Sequence, residues 1–174
     1  MKLRTLVISG AVLAAGGIAL GLVVTQIPFG TPPLGTTANW TTGEQCSPGK
    51  TLANGSYELQ NYSGEPVTVT GVHLIGGAGQ KMTSAAYLVP IQRTHGTWLL
   101  IGLVSPWPPT SPVWKLRRRV PATIAPHKSV NLVYAQTRTS DHPRSAVPQI
   151  IYTAGGFTYT LTVPFRSVVA GKCS

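Results

Sequence analysis

The stretch from Thr5 to Val24 constrains this chain most, because it is twenty residues long and carries no charged side chain. At about 1.5 Å of rise per residue, a helix of this length spans roughly 30 Å, the thickness of the hydrocarbon core of a bilayer. Backbone polar groups in lipid must pair with one another, which favours a helix. Lys2 and Arg4 precede the stretch, and positive flanks stay in the cytoplasm. The sequence therefore predicts a cytoplasmic basic stub at 1–4, a transmembrane signal-anchor helix at 5–24, and an extracytoplasmic remainder.

A cleaved signal peptide is the alternative interpretation of the same stretch. The apolar part of a signal peptide usually runs for about 7–15 residues before a small-residue cleavage site. This stretch is longer, and the residues that follow Val24 offer no good site; a weak one ends at Ala38. We therefore expect an uncleaved, single-pass anchor in the cell membrane.

Small residues line one face of the predicted anchor, at spacings of 4, 3 and 4 residues. Such a stripe lets two membrane helices approach closely, which predicts homodimerisation through the anchor. The alternative is that small residues are simply common in export signals. The stripe consists of Gly10, Ala14, Gly17 and Gly21.

Charge in this chain is scarce and strongly one-sided. Only 10% of residues are charged, against about 25% in typical soluble domains. Lys and Arg number 14 against 4 Asp and Glu, for a formal net charge of +10. A surplus of this size favours acidic partners, namely anionic lipid, an anionic envelope polymer or an acidic protein. Export argues against nucleic acid as a partner.

Cys46 and Cys173 are the two cysteines of the chain, and they bracket its second part. The exterior of a cell is oxidising, which predicts a disulfide between them. Two free thiols or a pair of metal ligands remain as alternatives. Between the anchor and Cys46, the prolines and glycines of 25–45 predict an extended tether. The folded domain is expected at 46–174.

The domain shows short apolar runs separated by turn residues, and no amphipathic helical period. Gly155-Gly156 lies between two alternating runs, Gln149–Thr153 and Phe157–Val163, and predicts a hairpin. The apolar phase slips by one residue at Thr70-Gly71, which indicates a β-bulge and turns His73 to the surface. The pattern predicts an all-β domain, an immunoglobulin-like antiparallel β-sandwich of seven or eight strands.

Two short motifs support that fold class: Asn61-x-Ser63-Gly64-x-Pro66-Val67-x-Val69, and later Ile124-x-Pro126-x-x-x-Val130-x-Leu132. They resemble strands of immunoglobulin-like modules on exported bacterial proteins, which commonly show N-x-G-x-x-P-V-x-V and I-x-P-G-x-x-V-x-L. The chain departs from these patterns by inserting Ser63 beside Gly64 and by placing His127 where Gly is usual. Together with the anchor, it resembles small single-pass envelope proteins. The resemblance implies an adhesion, spacer or accessory role and supplies no active-site residue.

Residues for catalysis or cofactor binding do not form a recognisable set. Ser140-Asp141-His142 contains the residue types of a catalytic triad, but adjacent residues before a proline are typical of a polar turn. The four histidines are too scattered to show ligand spacing. We expect no catalytic, metal or cofactor site; an envelope hydrolase that uses His142 or another histidine and a metal carrier remain the alternatives. Three glycosylation sequons begin at Asn39, Asn54 and Asn61.

The stretch Trp107–Arg119 combines tryptophans, prolines and cations. Rigid loops that carry Trp and Arg are typical of contact surfaces. We expect Lys115, Arg117 and Arg119 to share a strand face beside Trp107 and Trp114. The alternative is a long connection that enters a charge-protected edge strand. The sequence thus predicts a membrane-anchored, non-catalytic binding or accessory module of the cell envelope, with this stretch as its interaction surface.

Overall fold

A computed structural model of the protein describes residues 31–36, 44–83, 85–94, 97–99 and 105–173. These residues contain fifteen strands and one short 3-10 helix, Pro112–Leu116. The strands are β1 (Leu34–Thr36), β2 (Glu44–Pro48), β3 (Thr51–Asn61), β4 (Val67–Gly76), β5 (Gln80–Met82), β6 (Tyr87–Pro90), β7 (Gln92–Thr94), β8 (Thr97–Leu99), β9 (Ser105–Pro106), β10 (Arg118–Arg119), β11 (Ala122–Ile124), β12 (Ser129–Arg138), β13 (Ala146–Ala154), β14 (Phe157–Thr162) and β15 (Arg166–Ala170).

Two sheets make up the fold, and nearly all their strand pairs are antiparallel. The first sheet has the order β1-β3-β12-β6-β10, with β5 beside β12 and β9 beside β3. The second has the order β11-β4-β13-β15-β2, with β14 beside β13. Strands β15 and β2 run parallel, and β7 pairs with β8 in a separate hairpin. The all-β prediction is confirmed, but the predicted count of seven or eight strands is too low.

The predicted anchor helix at 5–24, with its stripe of Gly10, Ala14, Gly17 and Gly21, lies outside the described residues. Within the part of the chain that the structure describes, no helix is long and apolar enough to cross a membrane.

The main core lies between the two sheets. Leu59 and Leu132 of the first sheet and Val69 and Ile150 of the second belong to one buried cluster. Burial alternates along β13, as expected for a strand with one covered face. Strand β12 is different, because seven consecutive residues, from Val130 to Gln136, are buried along it. The outer face of β12 is therefore also covered, and residues of the 3-10 helix Pro112–Leu116 pack against it.

Two local predictions from the sequence are confirmed in the second sheet. Ile151 pairs with Gly71 while the next residue, Tyr152, pairs with Val69, so Thr70 is the extra residue of a β-bulge. His73 is exposed, as the slipped phase predicts. The β13–β14 hairpin turns at Gly155 and Gly156, whose φ angles of 55° and 81° require glycine-like freedom at both positions.

Cys46 and Cys173 form the predicted disulfide, with Cα atoms 5.8 Å apart. The segment predicted as a tether, 25–45, contributes to the sheets as well. Leu34 is 1% exposed and belongs to the core, and β1 pairs with the end of β3. Gly35 permits this packing, because a Cβ there would lie 2.8 Å from the Tyr62 ring. The folded unit therefore begins before Cys46, in a run too short and too proline-flanked to show a strand period.

Candidate functional site

The predicted interaction stretch, Trp107–Arg119, connects β9 to β10 across the outer face of the first sheet. Its centre is the 3-10 helix Pro112–Leu116, which begins at a proline because the first turn needs no backbone donor. The Trp114 N–H donates to the Ser111 carbonyl at 3.0 Å, and the Arg117 N–H donates to the Trp114 carbonyl at 3.2 Å. The stretch is therefore a tight turn of helix rather than a continuous strand.

The two tryptophans of this stretch pack inward instead of projecting as exposed anchors. Trp114 is 8% exposed and contacts the rings of Tyr87 and Trp107 edge-on, with centroid distances of 5.1 and 5.4 Å. Val89 and Val133 lie in the same cluster. These two valines point away from the main core, so the outer face of β6 and β12 is apolar and needs a cover. Trp114 therefore covers this face of the sheet and contributes little to the predicted interaction surface.

The cations of the stretch are exposed, but they do not share one strand face. Lys115 belongs to the 3-10 helix, and β10 begins only at Arg118, so the predicted alignment of Lys115, Arg117 and Arg119 is wrong. The Arg117 guanidinium lies 4.8 Å from the Trp114 ring centroid and donates from Nη1 to the Trp114 carbonyl at 3.1 Å. Arg118 and Arg119 point to opposite sides of β10. The cations thus surround the edge of the sheet.

A groove lies where the first sheet's edge at β6 and β10 approaches β11 of the second sheet. It encloses about 410 Å³, within the size range of small-ligand sites. Arg118 and Lys128 supply cations to it, and the remaining lining is mainly apolar or hydroxylic: Pro66, Pro90, Ile91, Thr123, Ala125, Pro126, Ser129 and Val130. We call Lys115, Arg117, Arg118, Arg119 and Lys128 the basic flank; all five are exposed.

The triad-like residues Ser140, Asp141 and His142 do not assemble into a catalytic arrangement. They lie in the loop between β12 and β13. There the Asp141 carboxylate forms an ion pair with the Arg138 guanidinium, with 3.5 Å between Oδ1 and Nη1. A triad requires its acid to orient the histidine, and here the carboxylate pairs with an arginine instead. Across the described residues, no three His, Cys, Asp or Glu side chains converge as a metal site would require.

Two of the three glycosylation sequons begin at buried asparagines. Asn61 is 0% exposed, and Asn54 is buried as well. The Asn61 amide nitrogen donates to the Glu65 carbonyl at 2.7 Å, while its oxygen accepts from the Ser63 hydroxyl at 2.7 Å. A glycan cannot be attached to an amide that is enclosed and bonded in this way. The third sequon, at Asn39, lies outside the described residues.

A buried polar network, absent from the sequence-based prediction, joins the two sheets. The Gln136 amide nitrogen of β12 donates to the Gln80 side-chain oxygen at 2.7 Å, and its oxygen accepts from the Ser167 hydroxyl of β15 at 2.9 Å. The Gln80 oxygen also accepts from the Val169 N–H at 2.7 Å. A buried amide is stable only when its groups are paired. Because the partners come from distant segments, only the tertiary structure brings this network together.

A comparison with protein-family models gives no match for this chain. A comparison with curated proteins likewise gives no significant relative. Its function must therefore be inferred from its own geometry and charge.

Proposed function

We propose that this protein is a non-catalytic binding or accessory module of the cell envelope. In this proposal the helix at 5–24 anchors it in the cell membrane, with homodimerisation through the anchor stripe, and an immunoglobulin-like sandwich is presented outside. The basic flank binds an acidic segment of a partner protein.

The immunoglobulin-like assignment is supported by one backbone feature. His127 occupies the position where the resembled motif usually has glycine, and its φ angle is 56°, in the left-handed region that favours glycine. The turn that the motif implies is therefore present, although the residue differs. The two packed, largely antiparallel sheets agree with the same class.

The observation that carries the binding proposal is the uncompensated charge of the basic flank. No Asp or Glu occurs in the chain between Glu65 and Asp141, and among the described side chains none of the five cations takes part in an ion pair. Mutual repulsion among exposed cations is relieved when an acidic partner approaches, which speeds encounter and favours complementary partners.

The groove beside Arg118 and Lys128 indicates what kind of acidic partner fits. Its walls carry three prolines, Ile91 and Val130, so an occupant can bury apolar groups there. Leu116, 47% exposed, adds an apolar contact on the same connection. A protein segment that alternates acidic and apolar side chains satisfies both features, with carboxylates at the rim and apolar groups inside.

The test compares two triple variants with equal changes in net charge. Lys115→Gln, Arg118→Gln and Lys128→Gln remove three of the five charges of the flank and spare Arg117, which contacts Trp114. Lys50→Gln, Arg144→Gln and Lys172→Gln remove the same charge elsewhere. Titration with a fluorescent peptide of alternating Glu and Leu should show a loss on the order of tenfold for the flank variant only, and a weaker salt dependence. Equal affinities, or equal losses in both variants, would contradict the proposal.

A further inference from the structure

A second group of cations gathers at the end of the sandwich that carries the disulfide. Three separate loops supply it: the β2–β3 turn with Lys50, the β12–β13 loop with Arg144, and the segment after β15 with Lys172. Arg138, the last residue of β12, lies among them. We call this surface the disulfide end. Lys50, Arg144 and Lys172 are far apart in sequence, so no linear motif indicates the group.

Backbone hydrogen bonds hold these loops together. The Arg138 N–H donates to the Lys50 carbonyl at 2.9 Å, and the Arg144 N–H donates to the Ala78 carbonyl at 2.8 Å. The Arg138 guanidinium lies against Gly171, where a Cβ would come within 2.7 Å of Nη1. The positions from which the cations project are therefore fixed by the fold, which reduces the entropy lost when a ligand binds.

The positive charge of the disulfide end is mostly unneutralised. Asp141 pairs with Arg138, but its carboxylate is 93% exposed. Among the side chains that the structure describes, Lys50, Arg144 and Lys172 take part in no ion pair, and all three are exposed. Four cations thus face one carboxylate in this part of the surface.

Two open depressions lie between these cations. One, of about 370 Å³, is lined by Lys50, Arg138 and Asp141 with the hydroxyl residues Thr139 and Ser140. The other, of about 480 Å³, is lined by Arg144, Ser145 and Lys172 beside the disulfide. Neither depression is lined by an aromatic side chain. Protein-binding surfaces are typically enriched in aromatic residues at their centre, so this composition favours a ligand recognised by charge and hydroxyl contacts.

We propose that the disulfide end binds a linear polyanion, a polymer with closely repeated phosphate or sulfate groups. Successive anionic groups of such a chain occupy the two depressions, accept hydrogen bonds from the Lys and Arg side chains and from the hydroxyls, and displace counterions. This surface is independent of the basic flank. Strand β10 is an edge strand of the first sheet. Strand β2, which carries Cys46, is the edge strand on the opposite side of the second sheet.

The experiment uses the full-length protein in a neutral detergent and measures affinity for fluorescent long-chain polyphosphate and for heparin. The end variant carries Lys50→Gln, Arg144→Gln and Lys172→Gln; Arg138 is kept because it packs against Gly171. The matched control is the flank variant, Lys115→Gln, Arg118→Gln and Lys128→Gln. Circular dichroism and thermal unfolding establish that both variants fold as the parent does.

The end variant should bind at least one of the two polymers on the order of tenfold more weakly, with a shallower dependence on salt concentration. The flank variant should lose less than about twofold, because exposed charges beyond a Debye length are screened. Whichever polymer shows the selective loss identifies phosphate or sulfate as the recognised group. Equal losses in both variants would mean attraction by net charge alone and would overturn the proposal. Tighter binding of polyglutamate than of either polymer, lost in the end variant but kept in the flank variant, would overturn it as well.

Discussion

Asn61 illustrates how a single side chain connects the two motifs on which the family resemblance rests. Its amide nitrogen donates to the carbonyl of Glu65 in its own loop and, at 3.2 Å each, to the carbonyls of Ile124 and Ala125. Its oxygen accepts from the Ser63 N–H at 2.9 Å. The N-x-S-G motif and the I-x-P motif are therefore in direct contact. A residue that resembles a glycosylation site in the sequence is a buried tie between the two sheets.

Tyr134 leads to a prediction about stability at high pH. Its hydroxyl is enclosed and has no hydrogen-bond partner in normal geometry among the described residues, although Tyr57 stacks on its ring with centroids 6.1 Å apart. Burial raises the pKa of Tyr134 well above the usual 10.0, and burial likewise raises the pKa of Tyr57. A raised folded pKa means that the unfolded state releases its proton first. Ionisation of these tyrosines therefore leaves the free energy of unfolding unchanged below a pH of about 10 and lowers it as the pH rises further.

Tyr134→Phe should therefore reduce the loss of stability between pH 9 and roughly 11. At pH 7 the free energy of unfolding should change by at most about 1 kcal/mol, because no hydrogen bond is lost. Urea unfolding at a series of pH values measures both effects, with Tyr62→Phe, at an exposed position, as the control. An unchanged alkaline slope in the Tyr134 variant would show that this hydroxyl does not govern it.

Among the strands and turns, the features that could be predicted from the sequence are those determined by residues adjacent in the chain. The Gly155-Gly156 hairpin and the bulge at Thr70 follow from turn chemistry and from side-chain alternation, which are local. Strand β1 was missed because three residues cannot display a period, and Leu34 is buried only through its pairing with β3. The burial of Trp114 was missed for a related reason. Trp114 packs on the apolar outer face of β6 and β12. Strand periodicity alone would leave that face exposed to solvent.

The Cys46–Cys173 bridge joins β2 to the segment that follows β15. Strand β2 is an edge strand of its sheet, and among the described strands it pairs with β15 alone, in parallel. The bridge closes a loop of sequence separation 127, which the chain-entropy relation values at nearly 5 kcal/mol. Replacing both cysteines with serine should lower the free energy of unfolding by about 2–5 kcal/mol, measured by urea denaturation. The parent protein under reducing conditions is the control, and its free energy of unfolding should match that of the variant. If the variant is as stable as the oxidised parent, the disulfide does not stabilise the fold.

The whole molecule has two distinct ends, and the chain enters at one of them. Strand β3 runs from Thr51 to Asn61, and its 11 residues separate the ends by roughly 33 Å. Leu34 pairs with Asn61, so the chain enters at the end remote from Lys50 and the disulfide. The residues 25–33 reach at most roughly 32 Å when fully extended. If the predicted helix at 5–24 anchors the protein in a membrane, the entry end therefore faces the bilayer, and the disulfide end, the proposed polyanion site, faces away from it.

The anchor itself gives the last prediction. The full-length protein should remain with membranes after carbonate extraction, and its carboxyl-terminal part should be cleaved by protease added outside intact cells. Gly17→Arg places a charge near the centre of the proposed span, at a cost of about 2.5–3.5 kcal/mol in insertion, and should reduce the membrane-bound fraction. Gly64→Arg, in an exposed loop where a side chain meets no atom within 4 Å, is the control and should remain in the membrane fraction. Recovery of a soluble, secreted form that begins near residue 26 or 39 would establish a cleaved signal peptide instead.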